Sequence, residues 1–220
     1  ASSFDVLVIG GGPGGYVAAI RAAQLGFKAA VVDRDRLGGI CLNWGCIPTK
    51  ALLKNAELYD HLTHGSEWGI SADNLKFDFA KMIKRSRGIA DKMASGVDYL
   101  MKKNKITTIY GTAKLAGKGK VSVEEKDGKK EYSAKHIIIA TGARPKTLPN
   151  VEIDRKTILT SKEAMNLEKA PKSMVIIGAG AIGIEFTYFY AVLGTKVTVI
   201  EAQDQILPVE DKDISNIVQK

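Results

Sequence analysis

The 220-residue sequence is poor in cysteine, with two, and in histidine, with three, and it contains no long apolar run. A membrane-spanning helix needs roughly 18 or more consecutive apolar residues, so no span is expected. Two cysteines cannot build the disulfide framework of a small secreted domain, and a close pair in such a chain points to catalysis or metal binding. Positive charge is in excess, at a net +8. The lysines are scattered, with local runs only at Lys102–Lys103 and Lys129–Lys130, so the concentrated basic surface with interleaved aromatics that nucleic acid requires is missing. The excess reads as a solvated face with a modest attraction for anionic cofactors or an acidic partner. The N-terminus passes at once into a strand pattern, so no signal peptide is expected. An Ala at position 1 is compatible with removal of Met or with a cleaved targeting segment.

What is present is glycine, 22 residues, and the glycines cluster. Phe4–Ile9 is a short apolar, β-branched run that reads as a buried parallel strand. It ends in Gly10, Gly11, Gly12, Gly14 and Gly15. A helix over Tyr16–Leu25 stopped by Gly26, and a strand over Lys28–Val32 ending at Asp33, complete a β-α-β unit. Leu37–Gly45 reads as a glycine-rich loop holding Cys41, Ile47–His64 as a long helix with Pro48 in its first turn, and Phe79–Lys103 as an amphipathic helix. Ile106–Tyr110, Val121–Glu124, Glu131–Ser133 and Ile137–Ala140, with turn signals at Gly117–Gly119 and Asp127-Gly128, read as an antiparallel meander. Pro145, Pro149 and Asn150 mark a linker. A strand at Met174–Ile177, glycines, a helix over Ala181–Leu193 and a strand at Lys196–Ile200 then repeat the first unit. Gly178 lies 168 residues after Gly10, and Glu201 the same distance after Asp33.

The expected fold class is α/β, with two Rossmann-like dinucleotide-binding units and an antiparallel β-meander insertion, the second unit truncated. The domains read as 1–149 and 150–220. Gly10, Gly12 and Gly15 match the dinucleotide fingerprint: a tight turn, backbone approach to pyrophosphate, and close helix–strand packing. The pyrophosphate would rest on the helix N-terminus, and Asp33 would accept from a ribose diol. Gly178, Gly180 and Gly183 repeat the pattern with Glu201 in the acidic role. An acid there repels a 2′-phosphate, and Ala202 and Gln203 supply no arginine, which favours NAD over NADP.

Cys41 and Cys46 are five residues apart. On one continuous helix that is a rise of about 7.5 Å, against the roughly 6.8 Å between Cα atoms that a disulfide tolerates. The pair can bridge only if Cys41 lies in the loop and Cys46 near the helix start, where the positive dipole end favours a thiolate. Inert thiols and a metal site are the alternatives. The nearest other ligands, His61 and His64, lie roughly 20 Å along the same helix, so no metal is assigned. Lys50 shares the helix face of Cys46, and Glu185 stands at the start of the repeated helix. Taken alone, these two read equally well as a solvated lysine and an acid favoured by a helix N-terminus.

Together these segments resemble the pyridine nucleotide-disulfide oxidoreductases. The residues that carry the resemblance are Val8-Ile9-Gly10-Gly11-Gly12-Pro13-Gly14-Gly15-Tyr16, the run Leu37-Gly38-Gly39-Ile40-Cys41-Leu42-Asn43-Trp44-Gly45-Cys46-Ile47-Pro48-Thr49-Lys50, Ala140–Pro145, and Ile177–Glu185. Leu42, Ile47 and Thr49 favour the lipoyl branch over the glutathione and mercuric reductase branches. The resemblance implies FAD held by Gly10, Gly12, Gly15, Asp33 and Gly39, with Thr141 and Gly142 against it, and NAD at Gly178, Gly180, Gly183 and Glu201. It implies Cys41 as the interchange thiol, Cys46 as the thiolate beside the flavin, and Lys50 with Glu185 as an ion pair that tunes it, Lys50 also touching the cofactor. The implied reaction oxidises protein-bound dihydrolipoyl groups with NAD, through a Cys41–Cys46 disulfide and FAD.

The implied partners are the lipoyl domain of a 2-oxoacid dehydrogenase complex or an H-protein, in a full-length homodimer located in a bacterial cytoplasm or a mitochondrial matrix. The alternatives are another NAD(P)H-dependent disulfide or mercuric reductase, and a non-catalytic FAD-binding fragment. The family pattern continues beyond one β-α-β unit of the NAD domain and places its acid–base histidine in a later domain. None of His61, His64 and His136 stands in that context. The chain alone is therefore expected to be inactive or weakly active.

Overall fold

A computed structural model describes residues 2–220. The chain forms two compact units, one running through Ile47 and resuming at Arg87–Ile153, the other formed by Pro48–Ser86 and Asp154–Lys220.

In the first unit, β1 (Ser3–Ile9), α1 (Pro13–Gln24) and β2 (Ala29–Asp33) form the expected β-α-β unit, with β1 and β2 parallel in the register Val6 to Ala29. Parallel strands covered on both faces need no polar alternation. Accordingly, Val6, Val8 and Val31 pack on one face with Ala19 and Ala22 of α1, while Leu7, Ala30 and Val32 pack on the other. A short helix α2 (Gly39–Trp44) follows, then α3 (Cys46–Thr63), which continues into the second unit. The helix α4 (Phe79–Lys103) begins in the second unit and returns to the first, where Val97 and Met101 join the α1 face of the core.

The segment after α4 differs from the sequence expectation. β3 (Thr107–Tyr110) is not a meander strand; it pairs parallel with β2. A chain leaving one edge of a sheet through a 25-residue helix can return parallel, and a four-residue apolar run does not specify its partner. The antiparallel part comprises β4 (Thr112–Leu115), which the sequence reading had not picked out, β5 (Lys120–Glu125) and β6 (Gly128–Ile139). The runs read separately at 131–133 and 137–140 belong to this one strand, except Ala140, which follows its end. Its first half pairs antiparallel with β5 and its second half parallel with β1, giving the sheet order β3-β2-β1-β6-β5-β4.

In the second unit, α5 (Ser161–Ala164) starts at a capping box between Thr160 and Glu163. β7 (Ser173–Ile177), α6 (Ala181–Val192) and β8 (Lys196–Ile200) form the second β-α-β unit, and α7 (Lys212–Gln219) follows. Outward positions of β7 and β8 present Val175, Ile177 and Ile200 to solvent. Residues 48–86, which the sequence reading grouped with the first domain, pack with 154–220. The Phe79 ring lies 5.9 Å from Phe189 and 6.2 Å from Tyr190, a buried aromatic cluster with no short-range signature.

Candidate active site

The first glycine loop is shaped by contacts with the chain itself. Gly10 has φ +106°, and a Cβ there would sit 2.2 Å from the Ala140 carbonyl oxygen. A Cβ on Gly15 would lie 1.7 Å from the Gly10 oxygen. Both positions therefore require glycine for backbone approach, as the fingerprint reading expects of its first and third members. Gly12 differs: a Cβ there would meet only the Gly39 Cα, at 3.6 Å. Gly12 is the N-cap of α1, and no side chain caps this helix start, so its N-terminal dipole faces outward for an anion.

Asp33 closes the loop. Its Oδ2 accepts from the Gly11 N–H at 2.6 Å and its Oδ1 from the Asp35 N–H at 3.0 Å. These bonds orient the carboxylate and leave each oxygen a further lone pair. Asp33 lines a cleft of about 570 Å³ together with Gly10, Arg34, Thr112, Thr141, Gly142 and Arg144. Four positions singled out in the sequence, Gly10, Asp33, Thr141 and Gly142, thus meet at one cleft. Thr112 was missed because nothing local marks it, and Arg144 stood in the Ala140–Pro145 run without being given a site role. An uncapped helix start, an oriented carboxylate and a cleft of this size fit the pyrophosphate and ribose of a dinucleotide such as FAD.

The cysteine segment packs directly on this loop. The Gly38 N–H donates to the Gly11 oxygen at 2.8 Å, and a Cβ on Gly39 would lie 2.6 Å from the Gly12 Cα. Cys41 joins the core cluster that contains Tyr16, Ala140 and Ile47. Tyr16 has its phenol pushed above the usual range by burial and then by the neighbouring Cys41 charge. Cys41 was expected in a loop but lies in the helical turn of α2. The two cysteines nevertheless do not share one continuous helix, because Gly45 leaves helical geometry at φ −150°, ψ −118° and breaks α2 from α3. The chain doubles back there, so that a Cβ on Gly45 would lie 3.5 Å from the Cys41 Cα. Cys46 is the first residue of α3, with Pro48 in the first turn. Cys41 is half-buried and Cys46 exposed.

In the second unit, the Gly178 N–H donates to the Ile200 oxygen at 2.8 Å, as the Gly10 N–H does to the Val32 oxygen. The Ala179 N–H donates to Glu201 Oε2 at 2.7 Å, as Gly11 does to Asp33. The 168-residue repeat is therefore reproduced in these two hydrogen bonds. N–H groups of Ala179 and Gln203, then Ala202, hold the Glu201 carboxyl below the usual range, so it stays ionised where a ribose diol would bind. A Cβ on Gly183 would lie 1.9 Å from the Gly178 oxygen, whereas one on Gly180 would meet nothing. The second loop shares with the first an uncapped helix start and an oriented carboxylate. Lys50, one turn beyond Cys46 on α3, forms an ion pair with Glu185 of α6.

The chain matches the pyridine nucleotide-disulphide oxidoreductase family over residues 4–220. A dihydrolipoyl dehydrogenase from Zymomonas mobilis is 51% identical over 221 residues, covering 100% of this chain and 47% of that protein. One from Rhizobium etli is 49% identical over 236 residues, covering 100% and 49%. The solved structure of LpdA from Mycobacterium tuberculosis superimposes with a TM-score of 0.88 at 27% identity, covering 99% of this chain and 48% of that one. A Cu(II) complex of the HOCl-induced flavoprotein disulfide reductase RclA from Escherichia coli does so with 0.83 at 28%, covering 99% and 46%. The chain spans about half the length of the curated relatives it matches.

Proposed function

The chain belongs to the pyridine nucleotide-disulphide oxidoreductase family, and from that premise we propose that it supplies the flavin- and disulfide-bearing part of a dihydrolipoyl dehydrogenase. The observation that carries this reading is the direct packing of the cysteine segment on the dinucleotide loop, Gly38 to Gly11 and Gly39 to Gly12. A nucleotide cradle and a thiol pair that share one wall suit electron exchange between them.

In this reading Gly12 and the α1 N-terminus hold the FAD pyrophosphate, Asp33 the ribose, and Thr141 and Gly142 the adjoining part of the cofactor, with Gly10 and Gly15 shaping the loop and Gly39 lying against it. Held there, FAD would supply two-electron redox chemistry between the thiol pair and NAD. A dihydrolipoyl thiolate attacks the Cys41–Cys46 disulfide at Cys41, giving a mixed disulfide and releasing Cys46 as thiolate. The second lipoyl thiol then displaces Cys41, so the substrate leaves as a disulfide and both protein sulfurs are reduced. Cys46, the sulfur released by that attack, is the first residue of an 18-residue helix. The Lys50–Glu185 pair sets the local charge one helical turn beyond Cys46. Gly178, Gly180, Gly183 and Glu201 take NAD, with Glu201 disfavouring a 2′-phosphate.

The partner is a lipoyl-bearing domain of a 2-oxoacid dehydrogenase complex or an H-protein, met by a homodimeric full-length enzyme in a bacterial cytoplasm. Among the described residues no helix is long and apolar enough to cross a membrane. The test is a visible absorption spectrum of the purified protein before and after anaerobic dihydrolipoamide. A flavin spectrum that gains a long-wavelength charge-transfer band is expected. Flavin without that band sinks the role given to Cys41 and Cys46. Reduction by dihydrolipoamide but not by glutathione separates this reading from a reductase of another disulfide.

A further inference from the structure

The helix that carries Cys41 has little to hold itself together. α2 is six residues long, has no side-chain cap at Gly38, and carries no basic residue in its last turn. Isolated helices of this length do not persist in water, so tertiary contacts must support it. Two kinds do. Inside the segment, Asn43 is buried and its Nδ2 donates to the Leu37 oxygen at 3.1 Å and the Gly39 oxygen at 3.0 Å. From outside, Arg87 of α4 donates through Nη1 to the Asn43 oxygen at 2.7 Å, and its guanidinium lies 4.2 Å from the Trp44 ring centroid.

A second tie comes from the next turn of α4. Asp91 accepts from Arg36 Nη1 at 2.6 Å, just before the segment begins. Residues 36–44 are therefore pinned at both ends to positions 87 and 91, one helical turn apart. The two ties differ in strength. Arg36 and Asp91 form an exposed pair of the kind that contributes little. Arg87 is half-buried, satisfies an orphaned carbonyl near the end of α2 and stacks on an aromatic face, which an ammonium does less well.

We infer that Arg87, acting through the Asn43 carbonyl and the Trp44 ring, is a positioning residue for the Cys41–Cys46 pair, holding the turn that carries Cys41 and so setting the effective concentration of one thiol at the other. This rests on the reading that the two cysteines form the redox disulfide. In glutathione buffer, the two thiols lose two electrons and two protons as the S–S bond forms, and one glutathione disulfide becomes two glutathione thiols. The equilibrium constant of that exchange measures the effective concentration directly.

The experiment equilibrates the full protein and its Arg87→Ala and Arg87→Lys variants in graded glutathione buffers, traps thiols by rapid alkylation, and records thermal unfolding alongside. A charge-assisted hydrogen bond and a stack are large enough for about a tenfold fall in the constant for Arg87→Ala, or roughly 30 mV for a two-electron couple. Arg87→Lys, which keeps charge and reach but not the planar fork, is expected to fall about threefold. An Arg87→Ala protein that unfolds more easily but keeps the wild-type constant overturns the inference, since Arg87 is then structural only. If Arg87→Ala does not fold, Arg87→Lys decides, and an unchanged constant there overturns it. A wild-type pair that never bridges removes the functional reading, and the inference with it. A bridging wild type with unchanged variants removes the inference alone.

Discussion

Replacing Gly15 and Gly12 by alanine, one at a time, separates the structural glycines of the first loop from the ligand-facing one. A Cβ at position 15 would stand 1.7 Å from the Gly10 oxygen, inside any possible contact distance, and the obstacle is backbone. Relief requires α1 to move away from β1, opening the contacts of Ala19 and Ala22 with Val6, Val8 and Val31. Overpacking of a close-packed core costs typically about 1–3 kcal/mol, and with a backbone obstacle we place Gly15→Ala at the upper end. At about 2–4 °C per kcal/mol for a chain of this size, Tm should fall by roughly 6–12 °C. At position 12 the nearest atom to a new Cβ is the Gly39 Cα at 3.6 Å, and φ is −75°, which alanine adopts freely. Gly12→Ala should shift Tm by less than about 2 °C on the same scale, while its methyl group blocks backbone approach to a pyrophosphate. The assay is thermal unfolding by circular dichroism beside titration with FAD, followed by flavin fluorescence. A Gly15→Ala protein as stable as wild type refutes the packing argument. A Gly12→Ala protein that binds FAD unchanged refutes the assignment of that loop to the pyrophosphate.

Phe79→Ala removes a buried ring from the cluster with Phe189 and Tyr190 and should cost about 3–5 kcal/mol, read as a loss of Tm; a loss below about 1 kcal/mol would show that residues 48–86 do not depend on that cluster. Lys50→Met should change stability by less than about 1 kcal/mol, because Lys50 is exposed. A clear change in the flavin spectrum or in turnover of that variant would then be functional, and the absence of both would reduce the Lys50–Glu185 pair to a surface contact. Burial, together with the Glu125 carboxylate at 2.5 Å, pushes the Tyr132 phenol up to about 12. A folded pKa above the unfolded one contributes stability that is fully present below about pH 10 and lost as the pH rises through about 12. Tyr132→Phe should therefore flatten the alkaline decline in stability, and an unchanged decline would place its cause elsewhere.

The β-α-β units, the glycine loops and the acids that close them were legible in the sequence because each depends on a few consecutive residues. A strand run, a glycine spacing and an acid at the next strand end form a signal about 30 residues long, and finding it twice at a constant offset reinforced it. The cysteine segment was legible in composition but not in shape. Leu37–Gly45 is rich in glycine and reads as a loop, yet Gly39–Trp44 is helical. That helix is braced by Asn43 inside the segment and by Arg87 on α4, 44 residues away from Asn43, and no local pattern announces the second contact. β3 was misplaced for a related reason. A four-residue apolar run shows that a strand exists, whereas its neighbour is decided by where α4 returns the chain.

The amino-acid sequence by itself determined two glycine loops between a strand and a helix, a thiol pair five residues apart with a glycine between, and the acids that close each loop. These follow from local backbone geometry, in which glycine, proline and strand ends act within a turn or two. Only the tertiary structure decided that the cysteine segment lies against the first loop through Gly38 and Gly39, that Thr141 and Gly142 meet Asp33 at one cleft, and that Lys50 finds Glu185. Such meetings join residues up to 135 apart. They depend on which faces of the helices and sheet are buried together, and burial is a property of the whole packed chain rather than of any stretch of it.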